Sequence, residues 1–168
     1  MFGSSPSCQC LHRHVTSPAH AGSRGFTVLE MTVALALVGI LTSIALPSWT
    51  AFRTRALTQQ AVQDITVMQV NIKRFQDDSR TYPASLADVE LAGHLDPWGR
   101  AYRYLKLEGT NNNGHARKDH SLVPINSDYD LYSVGPDGET VSPLTAAKSQ
   151  DDIVRANDGR YVGVASAY

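Results

Sequence analysis

The stretch GFTVLEMTVALALVGILTSIALP, residues 25–47, decides how this chain is organised. From Val28 to Leu46 it is apolar except for a single ionised side chain, Glu30. As a helix, the run from Phe26 to Leu46 would be about 31 Å long, which matches the hydrocarbon core of one bilayer. The first feature to explain is therefore an apolar helix long enough to cross a membrane, with a carboxylate near its start.

Length and composition exclude several classes of protein. A chain of 168 residues favours one domain with an appendage over two domains. The formal net charge of -1 predicts no nucleic-acid partner. Cys8 and Cys10 have no second cysteine pair with which to build a zinc site. The sequence has no nucleophile elbow, phosphate loop or histidine–carboxylate constellation, and His94 is isolated, so we predict a structural subunit with no catalytic residues rather than an enzyme.

Three interpretations compete for the apolar segment. A secretory signal peptide would be cleaved after the segment, but the small-x-small pattern at residues 19–21 precedes it. A signal anchor, with Arg13 and Arg24 held in the cytoplasm, fits the charges but does not explain Glu30. The third interpretation is a leader, residues 1–25, that is cleaved on the cytoplasmic side while the apolar segment is retained.

The residues at this junction resemble a known processing site. The run RGFTVLE, residues 24–30, is similar to the cleavage site of type IV prepilins, and Gly39 and Pro47 also stand where that family has glycine and proline. The resemblance implies cleavage between Gly25 and Phe26 by a prepilin peptidase. It also implies that the same enzyme N-methylates Phe26, with S-adenosylmethionine as the methyl donor.

This resemblance gives Glu30 a role. A carboxylate in mid-bilayer costs on the order of 3 kcal/mol, but Glu30 would lie only about 6 Å along a helix from the new terminus, where it could also survive by reaching the interface. In a helical filament it could instead pair with the Phe26 amine of the neighbouring subunit. Gly39 would allow close helix contact, and Pro47 should kink or loosen the helix.

A second helical signal follows the apolar run. Apolar residues recur at spacings of three and four, and the pattern stops near Asp78, before Tyr82-Pro83. The residues of this stripe are Leu57, Ala61, Ile65, Met68, Ile72 and Phe75. One helix from Phe26 to about Asp78 is therefore predicted, with one apolar face in its second half for packing on a sheet.

Alternating patterns predict the strands of that sheet. Residues 101–107 and 130–134 are the clear candidates, and residues 122–125 and 161–164 are weaker ones. The predicted fold class is α+β, with a long N-terminal spine helix packed on a small antiparallel sheet, as in the type IV pilin-like superfamily. The predicted organisation is a cleaved leader (1–25), a transmembrane and assembly helix (26–47) and a periplasmic head (48–168).

Two phrases sharpen the resemblance. DPWGRAY, residues 96–102, and DLYSVGPDG, residues 130–138, are similar to the major pseudopilin family of type II secretion. That family binds one calcium ion in its C-terminal loop. The ligands that the resemblance implies are the carbonyl of Val134, Asp137, an oxygen of Ser149, Asp151 and Asp152. Spacing alone favours a plain turn and solvated acids instead, and the loop at residues 109–128 is longer than is usual in the family.

The resemblance implies a subunit of a type II secretion pseudopilus that polymerises to drive protein export across the outer membrane. Its implied partners are further copies of itself in a helical filament, the prepilin peptidase, an inner-membrane assembly platform and minor pseudopilins. The implied location is the bacterial inner membrane, crossed once, with the N-terminus cytoplasmic and the head periplasmic. A type IV pilin for adhesion or motility and a membrane-tethered periplasmic binding domain are the alternatives.

Overall fold

The computed structural model describes residues 25–111 and 114–168, with Pro47 described by its backbone alone. The predicted leader therefore lies outside the described residues, apart from Gly25. The chain divides into two compact units, Met1–Ser43 and Ile44–Tyr168. The first contributes the start of a long helix. The second contains the rest of that helix together with a sheet.

Helix α1 spans Val28–Ser79. The predicted end near Asp78 is confirmed, because Arg80 has a left-handed backbone (φ 59°) that a helix cannot continue and buried Pro83 follows. The helical range runs through Pro47. The predicted kink or loosening at this proline stays a prediction.

Four antiparallel strands form the sheet in the order β1-β2-β3-β4. They are β1 (Arg103–Lys106), β2 (Tyr129–Ser133), β3 (Ile153–Ala156) and β4 (Tyr161–Val164). The predicted strands at 101–107, 130–134 and 161–164 are thus confirmed, as is the α+β fold class. The weak candidate at 122–125 was wrong: these residues form no strand, and Pro124, which lacks an N–H group, cannot donate to a strand ladder.

Strand β3 is the element that the sequence interpretation missed. All four of its residues are buried, and it lies between β2 and β4. The turn that joins it to β4 contains Asn157, Asp158 and Gly159, each with positive φ. An Asp-Gly pair between apolar runs is a hairpin signal, so this turn was the clue to the strand.

The sheet has a core on each face. On the helix side, the middle of the predicted stripe packs against β2 and β3. This cluster contains Ala61, Ile65, Met68, Ile72, Tyr102, Tyr129, Leu131 and Ile153. On the other side, loop residues complete a smaller cluster, which contains Ile125, Leu144, Val154, Ala156 and Ala165. The loop residues Ile125 and Leu144 therefore help to cover this face of β3.

Arg155 is buried on the helix side of the sheet. Its guanidinium carbon lies 3.9 Å from the ring centroid of Tyr129, and its Nη2 lies 2.6 Å from Oδ2 of Asp128. Its Nε donates to Oε1 of Gln69 on α1 over 2.9 Å. This one side chain therefore connects α1, β2 and β3.

Candidate functional site: the processing segment and the C-terminal loop

The predicted cleavage site lies in an exposed, non-helical segment. Gly25, Phe26 and Thr27 precede the first helical residue, Val28, and all three are exposed. Nothing lies within 4 Å of a Cβ placed on Gly25. The described fold therefore leaves the peptide bond between Gly25 and Phe26 accessible, and the fold itself does not require a glycine there.

Glu30 lies in the first turn of α1, where its position has a local explanation. Its backbone N–H donates to Oγ1 of Thr27 over 3.2 Å, so Thr27 caps the helix. A carboxylate in the first turn also interacts favourably with the positive end of the helix dipole. The spacing of Thr27 and Glu30 is that of a capping box, a signal that the sequence interpretation overlooked. Glu30 is therefore placed at the helix start without any partner from another subunit.

The three hydroxyl groups between Val28 and Leu46 bond to the helix itself. Thr32 donates to the carbonyl of Leu29 over 2.9 Å, and Thr42 and Ser43 donate to carbonyls three or four residues earlier, both over 2.7 Å. Because their donors are satisfied internally, these residues are compatible with an apolar environment.

One helix among the described residues, α1, is long and apolar enough to cross a membrane. The large apolar side chains from Phe26, just before this helix, to Phe52 within it are exposed; Leu35, for example, is 71% exposed. Nothing lies within 4 Å of a Cβ built on Gly39. The apolar run, together with Gly39, thus presents a surface that the rest of the described unit does not cover, which fits a membrane-anchored protein.

The two phrases that carried the pseudopilin resemblance meet in the head. Oδ1 of Asp96 accepts the N–H groups of Trp98 (3.0 Å) and Arg100 (2.8 Å), which closes the turn at the start of the first phrase. Oδ2 of Asp96 accepts from Oγ of Ser133, in the second phrase. Nη1 of Arg100 donates to the carbonyl of Gly135 over 2.7 Å. The first phrase therefore holds the turn that follows β2.

Two of the predicted calcium ligands lie next to each other at that turn. The backbone N–H of Asp137 donates to Oδ2 of Asp151 over 3.2 Å, and Oδ1 of Asp137 accepts the N–H of Glu139 over 2.8 Å. Gly135 (φ 65°) makes the approach possible, since a Cβ on it would lie 2.5 Å from the carbonyl oxygen of Asp151. Val134, whose carbonyl was the third predicted ligand here, is buried beside this turn.

The other two predicted ligands are engaged by protein groups. Oγ of Ser149 accepts the N–H of Val141 (2.8 Å) and donates to its carbonyl (2.7 Å). Oδ2 of Asp152 accepts from Oγ1 of Thr140 (2.7 Å) and from Nη2 of Arg117 (2.5 Å). Asp152 is fully buried, so its carboxylate meets a guanidinium rather than solvent.

Burial governs the ionisation of the acids around Arg117. Burial raises the pKa of Asp152, although hydrogen bonds from Thr140 and the charge of Arg117 oppose the rise. Burial likewise raises the pKa of Asp130, against hydrogen bonds from the Arg117 backbone and from Asn126. Both acids therefore depend on their hydrogen-bond donors to remain charged inside the head.

The oxygen atoms of the predicted ligands fit a calcium shell poorly. Calcium takes six to eight oxygen ligands, whereas Ser149 and Asp152 already serve protein donors. The part of the chain that the structure describes contains no group of three or more His, Cys, Asp or Glu residues arranged to hold a metal ion. Calcium binding through Val134, Asp137, Ser149, Asp151 and Asp152 stays a prediction.

Arg117 is buried and paired with Asp152, whereas the sequence favoured a solvated cationic loop at this position. It comes from the long loop at residues 109–128, and 35 positions separate it from Asp152. A charged residue in a polar loop gives no local signal of burial. Its importance emerges only when the loop is folded onto the sheet.

Comparison with known proteins agrees with these features. A family model described as the prokaryotic N-terminal methylation motif matches residues 21–46, which include the exposed cleavage segment and most of the apolar run. No solved structure matches the chain at a significant level.

Several curated relatives share one description, type II secretion system core protein G. The relative from Escherichia coli (strain K12) is 32% identical over 124 residues, which cover 69% of this chain and 83% of the relative. The relative from Klebsiella pneumoniae is 29% identical, over 77% of this chain and 91% of its own length. The relative from Pseudomonas aeruginosa is 26% identical, over 68% and 84%. The similarity thus extends well beyond the apolar segment into the head.

Proposed function

The chain belongs to the family of the type II secretion system core protein G, and from that membership we propose that it is a structural subunit of a type II secretion pseudopilus. In this function it is processed by a prepilin peptidase and polymerised to drive protein export across the outer membrane. The methylation motif and the similarity to core protein G over most of the chain support a pseudopilin over the alternative functions.

One observation carries the proposal. The motif that matches the methylation family ends in a long helix whose apolar side chains are exposed, and the peptide bond to be cleaved lies just before that helix in an exposed segment. An exposed apolar surface of this size needs a lipid or protein partner. A helix that first lies in a membrane and later packs against copies of itself has both.

The partners and location follow from this function. The chain crosses the inner membrane once, with its N-terminus in the cytoplasm and its head in the periplasm. An assembly platform in that membrane and minor pseudopilins start the filament, and further copies of the chain extend it. Its role is structural rather than catalytic.

Glu30 and the new N-terminus provide the contact that sets the register of the filament. Cleavage leaves a cationic amine on Phe26, and this amine pairs with Glu30 of the neighbouring subunit. In apolar surroundings a missing partner is costly, so the pair selects one axial position. The capping bond from the Glu30 N–H to Thr27 orients the first turn in which the carboxylate lies.

Processing is tested by expressing the full chain with and without a prepilin peptidase and determining the N-terminal residue of the product. We expect an N-methylated Phe26 only with the peptidase. The Gly25→Leu variant should fold and insert, because nothing within 4 Å of Gly25 opposes a side chain. It should stay uncleaved, because it replaces the glycine of the processing site. An intact leader on the wild-type chain in the presence of the peptidase would instead support a membrane-tethered binding domain.

Assembly is tested with Glu30→Ala in a strain that carries the complete secretion system. We expect normal insertion and cleavage but few filaments and little secretion. Glu139→Ala is the matched control, since this exposed head residue lies outside the apolar helix. Normal filaments from Glu30→Ala would refute the pairing with the Phe26 amine.

A further inference from the structure

A buried ion pair lies in the loop where the family resemblance implies a calcium ion. Nη2 of Arg117 is 2.5 Å from Oδ2 of Asp152, and the two side chains are 3% and 0% exposed. A carboxylate so completely removed from water needs a nearby positive charge. Arg117 supplies that charge from within the chain.

The same guanidinium connects segments that are distant in sequence. Nη1 of Arg117 donates to Oγ1 of Thr140 (2.5 Å) and to the carbonyl of Val141 (2.9 Å). Its guanidinium carbon lies 4.4 Å from the ring centroid of Tyr132 in β2. Its backbone N–H donates to Oδ2 of Asp130 over 2.6 Å. Arg117 therefore ties the 109–128 loop, the segment after the turn at Gly135 and the sheet to one another, as a bound cation would.

Two buried polar atoms also indicate that Arg117 and Asp152 are each other's partners. Among the described residues, the buried side-chain atoms without a hydrogen-bond partner are Nε of Arg117 and Oδ1 of Asp152. They belong to the same ion pair, and a small rotation that joined them would give a two-bond arginine–carboxylate pair. A calcium ion at Oδ1 would instead place a second cation beside the guanidinium, where the two charges repel.

We propose that Arg117 is the resident cation of the C-terminal loop, and that this head is stable without calcium. The loop at residues 109–128, which is longer than is usual in the pseudopilin family, brings Arg117 to Asp152 and so makes the ion unnecessary. This inference concerns the stability of the head and does not depend on whether the filament serves secretion.

The first experiment uses the purified full chain in detergent. Its thermal unfolding is followed in excess calcium, in excess magnesium and in chelator, and calcium is titrated into the chelator-treated chain by calorimetry. We expect the same Tm in all three conditions and no binding heat. A Tm that rises with calcium but not with magnesium, or a measurable calcium affinity, would overturn the inference.

The second experiment compares Arg117→Met with Arg160→Met, which removes an exposed arginine of the same head. We expect a large fall in Tm for Arg117→Met alone, because it leaves the carboxylate of Asp152 buried without its cation. The double variant Arg117→Met/Asp152→Leu should recover much of that fall, since it removes the unpaired charge as well.

Equal Tm values for Arg117→Met and Arg160→Met would show that the ion pair is not what holds the loop. If Arg117→Met yields no folded protein, the calcium measurements on the wild-type chain decide the question by themselves. Neither experiment requires secretion, so a failure here is distinct from a failure of the proposed function.

Discussion

Oγ of Ser133 lies 2.5 Å from Oδ2 of Asp96, and both side chains are buried. The other oxygen of the same carboxylate accepts two backbone N–H groups from the turn at residues 96–100. One carboxylate therefore shapes that turn and attaches it to the end of β2. Together with the bond from Arg100 to the carbonyl of Gly135, it links the two phrases that resemble the pseudopilin family.

Replacing this carboxylate should destabilise the head. Asp96→Ala leaves three donors without an acceptor, so we expect the free energy of unfolding to fall by roughly 2–4 kcal/mol. Urea unfolding of the full chain in detergent measures the change. Asp78→Ala, which removes an exposed acid at the end of α1, should change the value by no more than about 0.5 kcal/mol. Equal effects of the two substitutions would contradict the role assigned to Asp96.

Gly135 is constrained both by its backbone and by its neighbour, and a second glycine separates the two effects. Gly93 also has positive φ (78°), but nothing lies within 4 Å of its Cβ position. Gly93→Ala should therefore cost only the left-handed backbone, about 1–2 kcal/mol. Gly135→Ala should cost about 1–3 kcal/mol more, because the carbonyl of Asp151 must move. Chemical unfolding of both variants checks this, and a smaller loss for Gly135→Ala would argue against the close approach.

Buried and half-buried tyrosines should make the head sensitive to alkali. Burial raises the pKa of Tyr82, Tyr102, Tyr104 and Tyr129 above the ordinary value of about 10. The folded state then keeps phenol protons that the unfolded state releases, so stability is complete below that value and falls as the pH rises above it. Urea unfolding between about pH 8 and 11, with phenolate absorbance recorded in parallel, measures the loss.

A single variant tests the assignment of this pH dependence. The hydroxyl of Tyr102 donates to Oδ2 of Asp64 over 2.9 Å, and this bond adds to the effect of burial on its pKa. Tyr102→Phe should therefore reduce the slope of stability against pH above about pH 10. A slope that Tyr102→Phe does not alter would assign the alkaline loss to other groups.

Gly39 should matter for assembly rather than for folding. Glycine inside a helix costs about 1 kcal/mol relative to alanine, and no described neighbour within 4 Å of its Cβ position requires it. We expect Gly39→Leu to insert and to be cleaved but to form fewer filaments, because the larger side chain keeps helices apart. Gly39→Ala, which adds one methyl group, is the matched control. Wild-type filament yields from Gly39→Leu would exclude close helix contact at this position.

Periodicity made most of the fold predictable. The stripe that includes Ile65 and Met68 repeats every three or four residues because one helix face meets the sheet, and both side chains are fully buried. Strand β2 was predicted from a similar local signal, an alternating pattern that ends at the turn residues 135–138. These features are local, so the order of residues along the chain is enough to reveal them.

Strand β3 and the Arg117 ion pair were not predictable in this way. Arg155 interrupts the apolar pattern of β3. It can be buried because the carboxylate of Asp128, in a loop, and the ring of Tyr129, in β2, both contact its guanidinium. Arg117 and Asp152 likewise come from separate loops. A buried charge is specified by its partner, and the partner is known only after the chain has folded.

The hydroxyl groups of Thr32, Thr42 and Ser43 have hydrogen-bond partners that do not depend on the surroundings of the apolar helix. Each donates to a carbonyl of the same helix, so the bond is kept when the helix moves. Exchanging lipid tails for the side chains of neighbouring helices would break none of these bonds and create no new demand for a polar partner. These three groups therefore have the same hydrogen bonds in a bilayer and in a bundle of helices. They contribute little to the free-energy barrier for moving the helix from one to the other.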